Sequence, residues 1–357
     1  MNYNEIRRKT RKIKVGGIYI GGDSPVSVQS MTNTRTDDFD ATYAQIRRLE
    51  SAGCDIIRVT VPDMESVNGL YRLKSSDIAI PIVADIHFDY KLALEAAEAG
   101  ADKIRINPGN IGSPDRVKAV ADKCREKNIP IRIGVNSGSV EKHLIEKYGG
   151  PTAEALAESA LYNARLLERY DFENIIVAVK SSDVARMIEA NKLVAARCDY
   201  PLHLGVTEAG PAESGTVKSA IGIGSLLTQG VGDTVRVSLT SDPVTEIEKG
   251  RAILGALGMD PGERITLVSC PTCGRTKIDL IGLVAQFGAV KDRLTPSRRV
   301  KVAIMGCPVN GPGEAADADI GIAGGDGEAL LFKKGQIIRK IPEDRIIETL
   351  ISEINSL

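Results

Sequence analysis

Eight repeats of one pattern constrain the fold of this chain more than any other feature of its sequence. Each repeat is a short apolar run, rich in β-branched residues and ending in polar ones, followed by a stretch with apolar residues at three- and four-residue spacing. The first part predicts a strand and the second an amphipathic helix. Eight such units favour a parallel α/β fold closed into a (β/α)8 TIM barrel, with an open doubly wound sheet as the alternative. The predicted strands are residues 26–32, 56–61, 82–87, 103–107, 131–136, 175–181, 202–208 and 234–240.

Two segments flank the repeats. Alternating apolar residues on either side of Gly16 and Gly17 predict a short β-hairpin that precedes the barrel and could plug one end of it. A cluster of Gly, Asp and Pro at residues 258–262 indicates a domain boundary. We therefore predict a barrel domain of residues 1–258 and a small α+β domain of residues 259–357. The second domain is expected to contain strands at 265–269 and 300–305, a helix at 277–287, two strands meeting at 324–327 and a helix from about Glu343.

Composition limits the classes of partner. The 357 residues are 43% apolar and 26% charged with a formal net charge of −1, which is ordinary for a globular protein and predicts neither nucleic-acid nor membrane binding. No apolar run approaches the length of about 18 residues that a membrane helix needs. The basic N-terminal segment lacks the apolar region of a secretory signal. We expect a cytoplasmic protein with reduced thiols.

Three cysteines in the second domain are placed to bind one metal centre. Cys270 and Cys273 form a C-x-x-C pair, and Cys307 lies in a second loop rich in Gly and Pro. Structural zinc takes four Cys or His ligands, whereas the three histidines of the chain all lie far upstream. Iron–sulfur clusters use four thiolates, so three thiols would leave one iron to another ligand, for which Glu314 is the nearest candidate. A structural zinc site, a redox dithiol and buried thiols remain alternatives.

Cations recur at the ends of the predicted barrel strands, where the active sites of such barrels lie. Buried charges need partners, and guanidinium groups suit phosphate oxygens, so the set predicts a phosphorylated small molecule, in particular a diphosphate. A single one of these cations could equally be paired within the protein. The cations are Arg58, Arg105, Arg132, Lys180 and Arg236, and the other polar residues at these strand ends include Asp85, His87, Asn107, Asn136, Glu208 and Ser238.

Two of these residues are candidates for proton transfer. Glu208 would be kept ionised by the surrounding cations and is our candidate general acid/base. His87 is a competing proton donor, although a histidine near a strand end can also be structural. Asn107, Asn136 and Ser238 could orient hydroxyl or phosphate groups of a ligand, or could cap the ends of strands.

Several longer segments carry a family resemblance. The segments VQSMT (28–32), RVTVP (58–62), IRINPGN (104–110) and GDTVRVSL (232–239) resemble the bacterial 4-hydroxy-3-methylbut-2-enyl diphosphate synthases. So do CPTCGR (270–275) and MGCPVNGPGE (305–314), and the resemblance extends over nearly the whole chain. It implies a TIM barrel followed by a small α+β iron–sulfur domain similar to that of sulfite and nitrite reductases.

The resemblance also implies an activity. Such an oxidoreductase reduces 2-C-methyl-D-erythritol 2,4-cyclodiphosphate to the linear allylic diphosphate in non-mevalonate isoprenoid synthesis, with electrons from flavodoxin or ferredoxin. It implies a homodimer in which one chain's cluster domain serves the other chain's barrel.

The same resemblance implies roles for individual residues. Cys270, Cys273 and Cys307 would ligate a [4Fe–4S] cluster, with Glu314 on the fourth iron until substrate displaces it. The five cations would bind the diphosphate. The other residues that match the family's substrate pocket are Asp85, Asn107, Asn136, Glu208 and Ser238.

Two other classes of function remain open at this point. A zinc-bearing or metal-independent phosphosugar lyase, or a pterin-synthase-like transferase, would explain the cations but would leave the three cysteines without a role. A metal-sensing module would explain the cysteines but not the cations.

Overall fold

A computed structural model describes residues 3–309, 313 and 315–357. The chain divides into two compact units, Met1–Asp260 and Pro261–Leu357. Each has its own buried apolar cluster.

The first unit opens with the predicted hairpin. Strands β1 (Ile13–Val15) and β2 (Ile18–Ile20) pair antiparallel, with Val15 opposite Ile18. The apolar side chains of the hairpin pack against residues at the starts of three barrel strands, so the hairpin plugs the amino-terminal end of the barrel. This cluster consists of Ile13, Val15, Ile20, Ile56, Val83 and Ile176.

Eight parallel strands follow and form the barrel wall. Hydrogen-bonded neighbours run in the order β8-β7-β6-β5-β4-β3-β10-β9, and a parallel bridge between Val177 and Leu202 joins the two ends. The predicted TIM barrel is confirmed and the doubly wound alternative is wrong. The strands are β3 (Ser27–Met31), β4 (Ile56–Thr60), β5 (Ile82–Asp85), β6 (Lys103–Ile106), β7 (Ile131–Asn136), β8 (Ile175–Lys180), β9 (His203–Leu204) and β10 (Thr234–Val235).

The last two barrel strands are shorter than the sequence predicts. The runs at 202–208 and 234–240 were expected to be strands throughout, but only two residues of each lie in β9 and β10. Beyond β9, Glu208 and Gly210 adopt left-handed φ angles of 52° and 101°, so the predicted strand could not have continued through Glu208.

Helices cover the outside of the barrel. Aspartate side chains accept backbone N–H bonds at the starts of α1, α2, α3, α8 and α10, which satisfies helix ends directly after the strand loops. Within the described residues, no helix is long and apolar enough to cross a bilayer. The helices are α1 (Phe39–Ser51), α2 (Met64–Lys74), α3 (Tyr90–Glu98), α4 (Pro108–Ile111), α5 (Pro114–Glu126), α6 (Lys142–Tyr148), α7 (Ala153–Glu168), α8 (Val184–Ala195), α9 (Ala212–Leu227) and α10 (Pro243–Ala256), with a 3₁₀ turn at Ser137–Ser139.

In its described residues the second unit contains a mixed sheet and the helices α11 (Leu280–Lys291) and α12 (Ile346–Ile354). Its five strands lie in sequence order, the first three parallel and the last two antiparallel. Helix α11 begins later than the predicted residue 277, because the side chain of Asp279 caps it by accepting from the Gly282 amide. The elements are β11 (Ile265–Ser269), α11 (Leu280–Lys291), β12 (Val300–Met305), β13 (Ile320–Gly324), β14 (Glu328–Lys333), β15 (Gln336–Pro342), a 3₁₀ turn at Glu343–Arg345 and α12 (Ile346–Ile354).

Candidate active site

A buried carboxylate joins two of the predicted cations at the carboxyl end of the barrel. Asp85, at the end of β5, lies 2.9 Å from Arg105 on β6 and 3.4 Å from Arg58 on β4, and is only 2% exposed. Burial alone would raise the pKa of Asp85, but the guanidinium groups of Arg58 and Arg105 outweigh it and lower the pKa to about 2. The three residues form one network of ion pairs within the protein itself.

Arg58 is the more enclosed of the two arginines in this network. Its Nε and Nη2 atoms lie 3.2 Å and 2.9 Å from the Met31 sulfur, so the methionine accepts from it on the side facing β3. Burial lowers the pKa of Arg58 to about 10, against the opposing effect of Asp85. The arginine stays charged near neutral pH.

A second carboxylate holds Arg236, and the sequence did not predict it. Glu246, in the first turn of α10, is 4% exposed and lies 3.3 Å from Arg236 Nε and 3.4 Å from Nη2. It also accepts from Ser30 Oγ at 3.0 Å and from the Leu239 amide at 3.0 Å. With these donors around it, Glu246 ties β3, the loop after β10 and Arg236 together. In sequence it resembles an ordinary acidic residue that complements the helix dipole.

Two further cations have no such partner. Within the described part of the chain, no hydrogen bond or ion pair joins Arg132 on β7 or Lys180 on β8 to another side chain, and Arg132 Nε and Nη1 are buried without a partner. Arg132 is 1% exposed. Burial, and then the repulsion of neighbouring cations including Arg58, lower the pKa values of both groups well below their ordinary values. Buried groups in this state need an anion.

Two glycines make room for the cationic side chains. A Cβ atom at Gly134 would lie 2.7 Å from Arg105 Nε, and one at Gly205 would lie 2.9 Å from Lys180 Nζ. Any larger residue at these positions would displace the cation beside it. The sequence gives no signal for this role until the strands are in register.

The predicted polar residues at the strand ends occupy different environments. Asn107 is buried, and its Oδ1 accepts from the Gly109 amide at 3.1 Å, so it caps α4. Its Nδ2 lies 3.4 Å from the Ser139 carbonyl. Asn136 and Ser238 are half-buried at the ends of β7 and beyond β10.

The two proton-transfer candidates are both exposed. His87 Nε2 lies 3.3 Å from Arg105 Nη1, which places the ring beside the charged network. Glu208 follows β9 with a left-handed φ of 52°, a conformation that costs a non-glycine residue on the order of 1 kcal/mol and occurs often at functional sites. The carboxylate makes no hydrogen bond or ion pair among the residues described. It is available to a ligand.

In the second unit the cysteine loops follow adjacent strands. Cys270 comes directly after β11 and Cys307 shortly after β12, and the Gly306 amide donates to Cys270 Sγ at 3.2 Å. The Lys277 amide donates to the Gly306 carbonyl at 2.9 Å and links the two loops. Cys273 is exposed, and hydrogen bonding from the Arg275 backbone lowers the pKa of its thiol, which favours the thiolate.

The three free thiols have the chemistry of iron–sulfur ligands, but their side chains are not arranged around one common position. All three are free, and one sulfur already accepts an amide N–H, as thiolates bound to iron commonly do. Among the described residues no group of three or more His, Cys, Asp or Glu side chains is positioned to hold a metal ion. Glu314 lies outside the described residues.

Two of the remaining cysteines are enclosed like small apolar residues, whereas Cys198 is half-buried. Cys54 and Cys124 are buried in the barrel unit, and burial raises the pKa of each thiol to about 12. Neither is suited to ligate a metal.

Fold and site together define a class: a TIM barrel whose mouth is lined by buried cations, joined in sequence to a small cysteine-bearing unit. The chain belongs to the GcpE family, since residues 10–251 match the GcpE TIM-barrel domain and residues 266–356 match the GcpE protein C-terminal domain.

Curated relatives extend over the whole chain. The 4-hydroxy-3-methylbut-2-en-1-yl diphosphate synthase (flavodoxin) of Ruminiclostridium cellulolyticum is 56% identical over 351 residues, covering 98% of each chain. The protein of the same name from Clostridium perfringens is 56% identical, over 98% of this chain and 99% of its own. That of Caldanaerobacter subterraneus is 55% identical, over 99% of this chain and 98% of its own. The resemblance noted in the sequence is confirmed, and the lyase or transferase alternative is not favoured.

Two solved structures match about 70% of the chain. The type I 3-dehydroquinate dehydratase of Clostridium difficile superposes with a TM-score of 0.51 at 16% identity, over 70% of this chain and 98% of its own. The dihydropteroate synthase of Thermus thermophilus superposes with a TM-score of 0.50 at 13% identity, over 70% of this chain and 99% of its own. At such identities the likeness concerns the fold only.

Proposed function

We propose that this chain is an iron–sulfur oxidoreductase that converts 2-C-methyl-D-erythritol 2,4-cyclodiphosphate to 4-hydroxy-3-methylbut-2-enyl diphosphate in non-mevalonate isoprenoid synthesis. The observation that carries the proposal is the barrel mouth, where two buried cations, Arg132 and Lys180, lack any carboxylate partner among the described residues. The names of relatives more than half identical over the full chain support it.

The barrel unit is the substrate-binding domain in this proposal, with residues 1–258 as its extent. Arg132 and Lys180 would bind phosphate oxygens directly, because among the described residues no side chain forms a hydrogen bond or ion pair with either of them. Arg58, Arg105 and Arg236, oriented by Asp85 and Glu246, would complete the binding of the diphosphate. Asn107, Asn136 and Ser238 would orient its remaining polar atoms.

The second unit, residues 259–357, is the cluster domain. Cys270, Cys273 and Cys307 would hold a [4Fe–4S] cluster, and Glu314 is the candidate for its fourth protein ligand. When bound, such a cluster supplies electrons one at a time, received here from flavodoxin or, alternatively, ferredoxin. The Gly306 amide directed at Cys270 Sγ would stabilise the thiolate charge.

The reaction consumes two electrons and two protons and releases water. Glu208 would exchange protons with the substrate at the mouth, since its carboxylate is exposed and free of partners among the described residues. His87, beside Arg105, would be the second proton donor. Ion pairing within the mouth would exclude water from the phosphate contacts.

The remaining parts of the proposal concern assembly and location. We place the enzyme in the cytoplasm, where free thiols persist. A homodimer would allow the cluster domain of one chain to serve the barrel of its partner.

Anaerobic reconstitution tests the proposal. Wild type, Cys307→Ser and a matched control, Cys198→Ser in the barrel unit, are compared for bound iron and acid-labile sulfide and for conversion of the cyclic diphosphate with reduced flavodoxin. Wild type and the control should bind about four irons with sulfide and turn over. Cys307→Ser should lose both properties. Full activity in Cys307→Ser would overturn the cluster assignment, whereas zinc without sulfide in wild type would overturn the oxidoreductase.

A further inference from the structure

The interior of the barrel contains a buried lysine directly beneath the charged mouth. Lys103 lies two residues before Arg105 on β6, so both side chains leave the same face of the sheet. It is completely buried, and its only side-chain partner among the described residues is Gln29, with Nζ 3.4 Å from Oε1. That contact is long for a charged hydrogen bond.

Gln29 and Lys103 belong to one layer. Gln29 lies two residues before Met31, whose sulfur contacts Arg58 at the mouth, and it pairs in register with Ile56 of the hairpin cluster. The layer therefore lies between the cationic mouth above and the apolar plug below.

The layer is rich in polar atoms without partners. His203 on β9 is completely buried, and both of its ring nitrogens lack a hydrogen bond. Ser27 Oγ, Thr234 Oγ1 and Gln29 Nε2 are in the same state. Buried polar atoms of this kind usually meet water molecules that are ordered inside the protein.

Charged Lys103 would meet repulsion from almost every side. Arg132 on β7 and Arg58 on β4 oppose its charge, and among the described residues only the carboxylate of Asp102, directly before β6, acts in its favour. Lys180 and His203 lie in the same interior, next to Arg132. The carboxylates above, Asp85 and Glu246, are already engaged by Arg58, Arg105 and Arg236. Burial first, and then Arg132 and Arg58, lower the pKa of Lys103 well below its ordinary value.

We propose that Lys103 is an internal proton-uptake site of the barrel: a neutral amine while the mouth is empty, it binds one proton when a diphosphate occupies the mouth. A dianion beside Arg132 and Lys180 cancels the repulsion that keeps the amine neutral. The proton comes from solvent through the mouth and ends on Nζ, and no bond of the ligand changes. This inference rests on the proposed function.

Calorimetric titration with the cyclic diphosphate tests it. The holoenzyme is titrated at about pH 8 in buffers of different ionisation enthalpy, which gives the number of protons taken up on binding. Each phosphorus of this cyclic ligand carries one ionisable oxygen, which is fully ionised at that pH, and the pKa of Asp85 lies far below it, so uptake reports basic groups of the protein. Lys180 contacts the ligand and can contribute, so the difference between variants is the decisive quantity.

Lys103→Met preserves the length of the side chain and should bind about one proton fewer than wild type. Lys103→Gln is a second, polar variant in case the first does not fold. Lys91→Met, at an exposed lysine of α3, is the matched control and should take up as many protons as wild type. The affinity of wild type should also rise on acidification more steeply than that of either Lys103 variant.

The outcomes separate this inference from the proposed function. Wild-type proton uptake in both Lys103 variants would overturn the role of Lys103 and leave substrate binding standing. Failure of wild type to bind the cyclic diphosphate would overturn both.

Discussion

The cations at the barrel mouth fall into two groups that solve the problem of burial differently. Arg58, Arg105 and Arg236 are paired with the buried carboxylates Asp85 and Glu246. Arg132 and Lys180 are as deeply enclosed, yet among the described residues neither has a partner side chain. The first group is stabilised by the protein, and the second is stabilised only when an anion binds.

This difference indicates for which cations the contribution to folding stability should depend on a bound ligand. A buried charge with a partner contributes to the folded state, and removing its partner leaves an uncompensated charge. A buried charge without a partner destabilises the folded protein, and that cost is relieved on binding. Mutations in the two groups should therefore change stability in opposite directions.

The largest effect is expected for Arg132→Met. Loss of a buried, charge-assisted contact should weaken binding of the cyclic diphosphate by about 2–5 kcal/mol, or roughly 30- to several-thousand-fold. Without ligand the variant should be at least as stable as wild type, because an unpaired buried charge is gone. Calorimetric titration and urea unfolding measure the two quantities.

Arg35→Met is the control, since Arg35 is exposed and pairs only with Asp37. In this variant neither the free energy of ligand binding nor the free energy of unfolding should change by more than about 0.5 kcal/mol. If Arg132→Met were less stable than wild type and bound ligand normally, Arg132 would belong with the paired group.

Asp85→Asn should give the reverse pattern. The variant leaves Arg58 and Arg105 without their counter-charge, so unfolding free energy at neutral pH should fall by about 2 kcal/mol, while affinity for the diphosphate changes less than about tenfold.

The pH dependence of stability provides a second test of Asp85. Its folded pKa of about 2 is below the ordinary value of 3.8. The carboxylate therefore stabilises the fold above about pH 4, and this contribution is lost as the pH falls from 4 towards 2. Urea unfolding across this range should show that loss in wild type and not in Asp85→Asn. Equal acid sensitivity of the two proteins would contradict the assignment.

Glu246→Gln should have an intermediate effect. The amide oxygen can still accept from Ser30 and Leu239, but the charge opposite Arg236 is lost. We expect kcat/KM to fall about tenfold and stability to fall by about 1 kcal/mol. Glu248→Gln, on the exposed side of α10, should change neither. Identical kinetics for the two variants would mean that Glu246 does not position Arg236.

The smallest effect is expected for Asn107→Ala. The side chain caps α4, so its removal should cost about 1 kcal/mol of stability. Because the oxygen is engaged by the Gly109 amide, only Nδ2 is left to orient the ligand, and kcat/KM should fall only a few-fold. A loss of activity beyond about a hundredfold without loss of stability would show that ligand binding, and not capping of α4, is the main role of Asn107.

Sequence patterns predicted the barrel and its cations because both depend on local information. Short apolar runs rich in β-branched residues define the strands, and their polar ends, where an Arg or Lys recurs, mark the mouth of the barrel. Gly16 and Gly17 likewise located the hairpin. The position of a strand and the charged side chains at its end can both be predicted from the residues of that strand.

Partners from other elements could not be predicted in this way. Glu246 is more than two hundred residues from Ser30, and its role exists only once α10 packs against β3. Strand β15 was missed because its residues are mostly exposed and lack the alternation of a half-buried strand. The clearances at Gly134 and Gly205 require the register of the whole barrel.

The most direct test of the central claim is phosphorus NMR of the cyclic diphosphate incubated anaerobically with reconstituted enzyme and reduced flavodoxin. Conversion of the ring phosphates to the signals of a linear diphosphate monoester, at a rate that falls sharply in Arg132→Met, is the predicted result. An unchanged cyclic diphosphate in the presence of enzyme with a full complement of iron and sulfide would contradict the account.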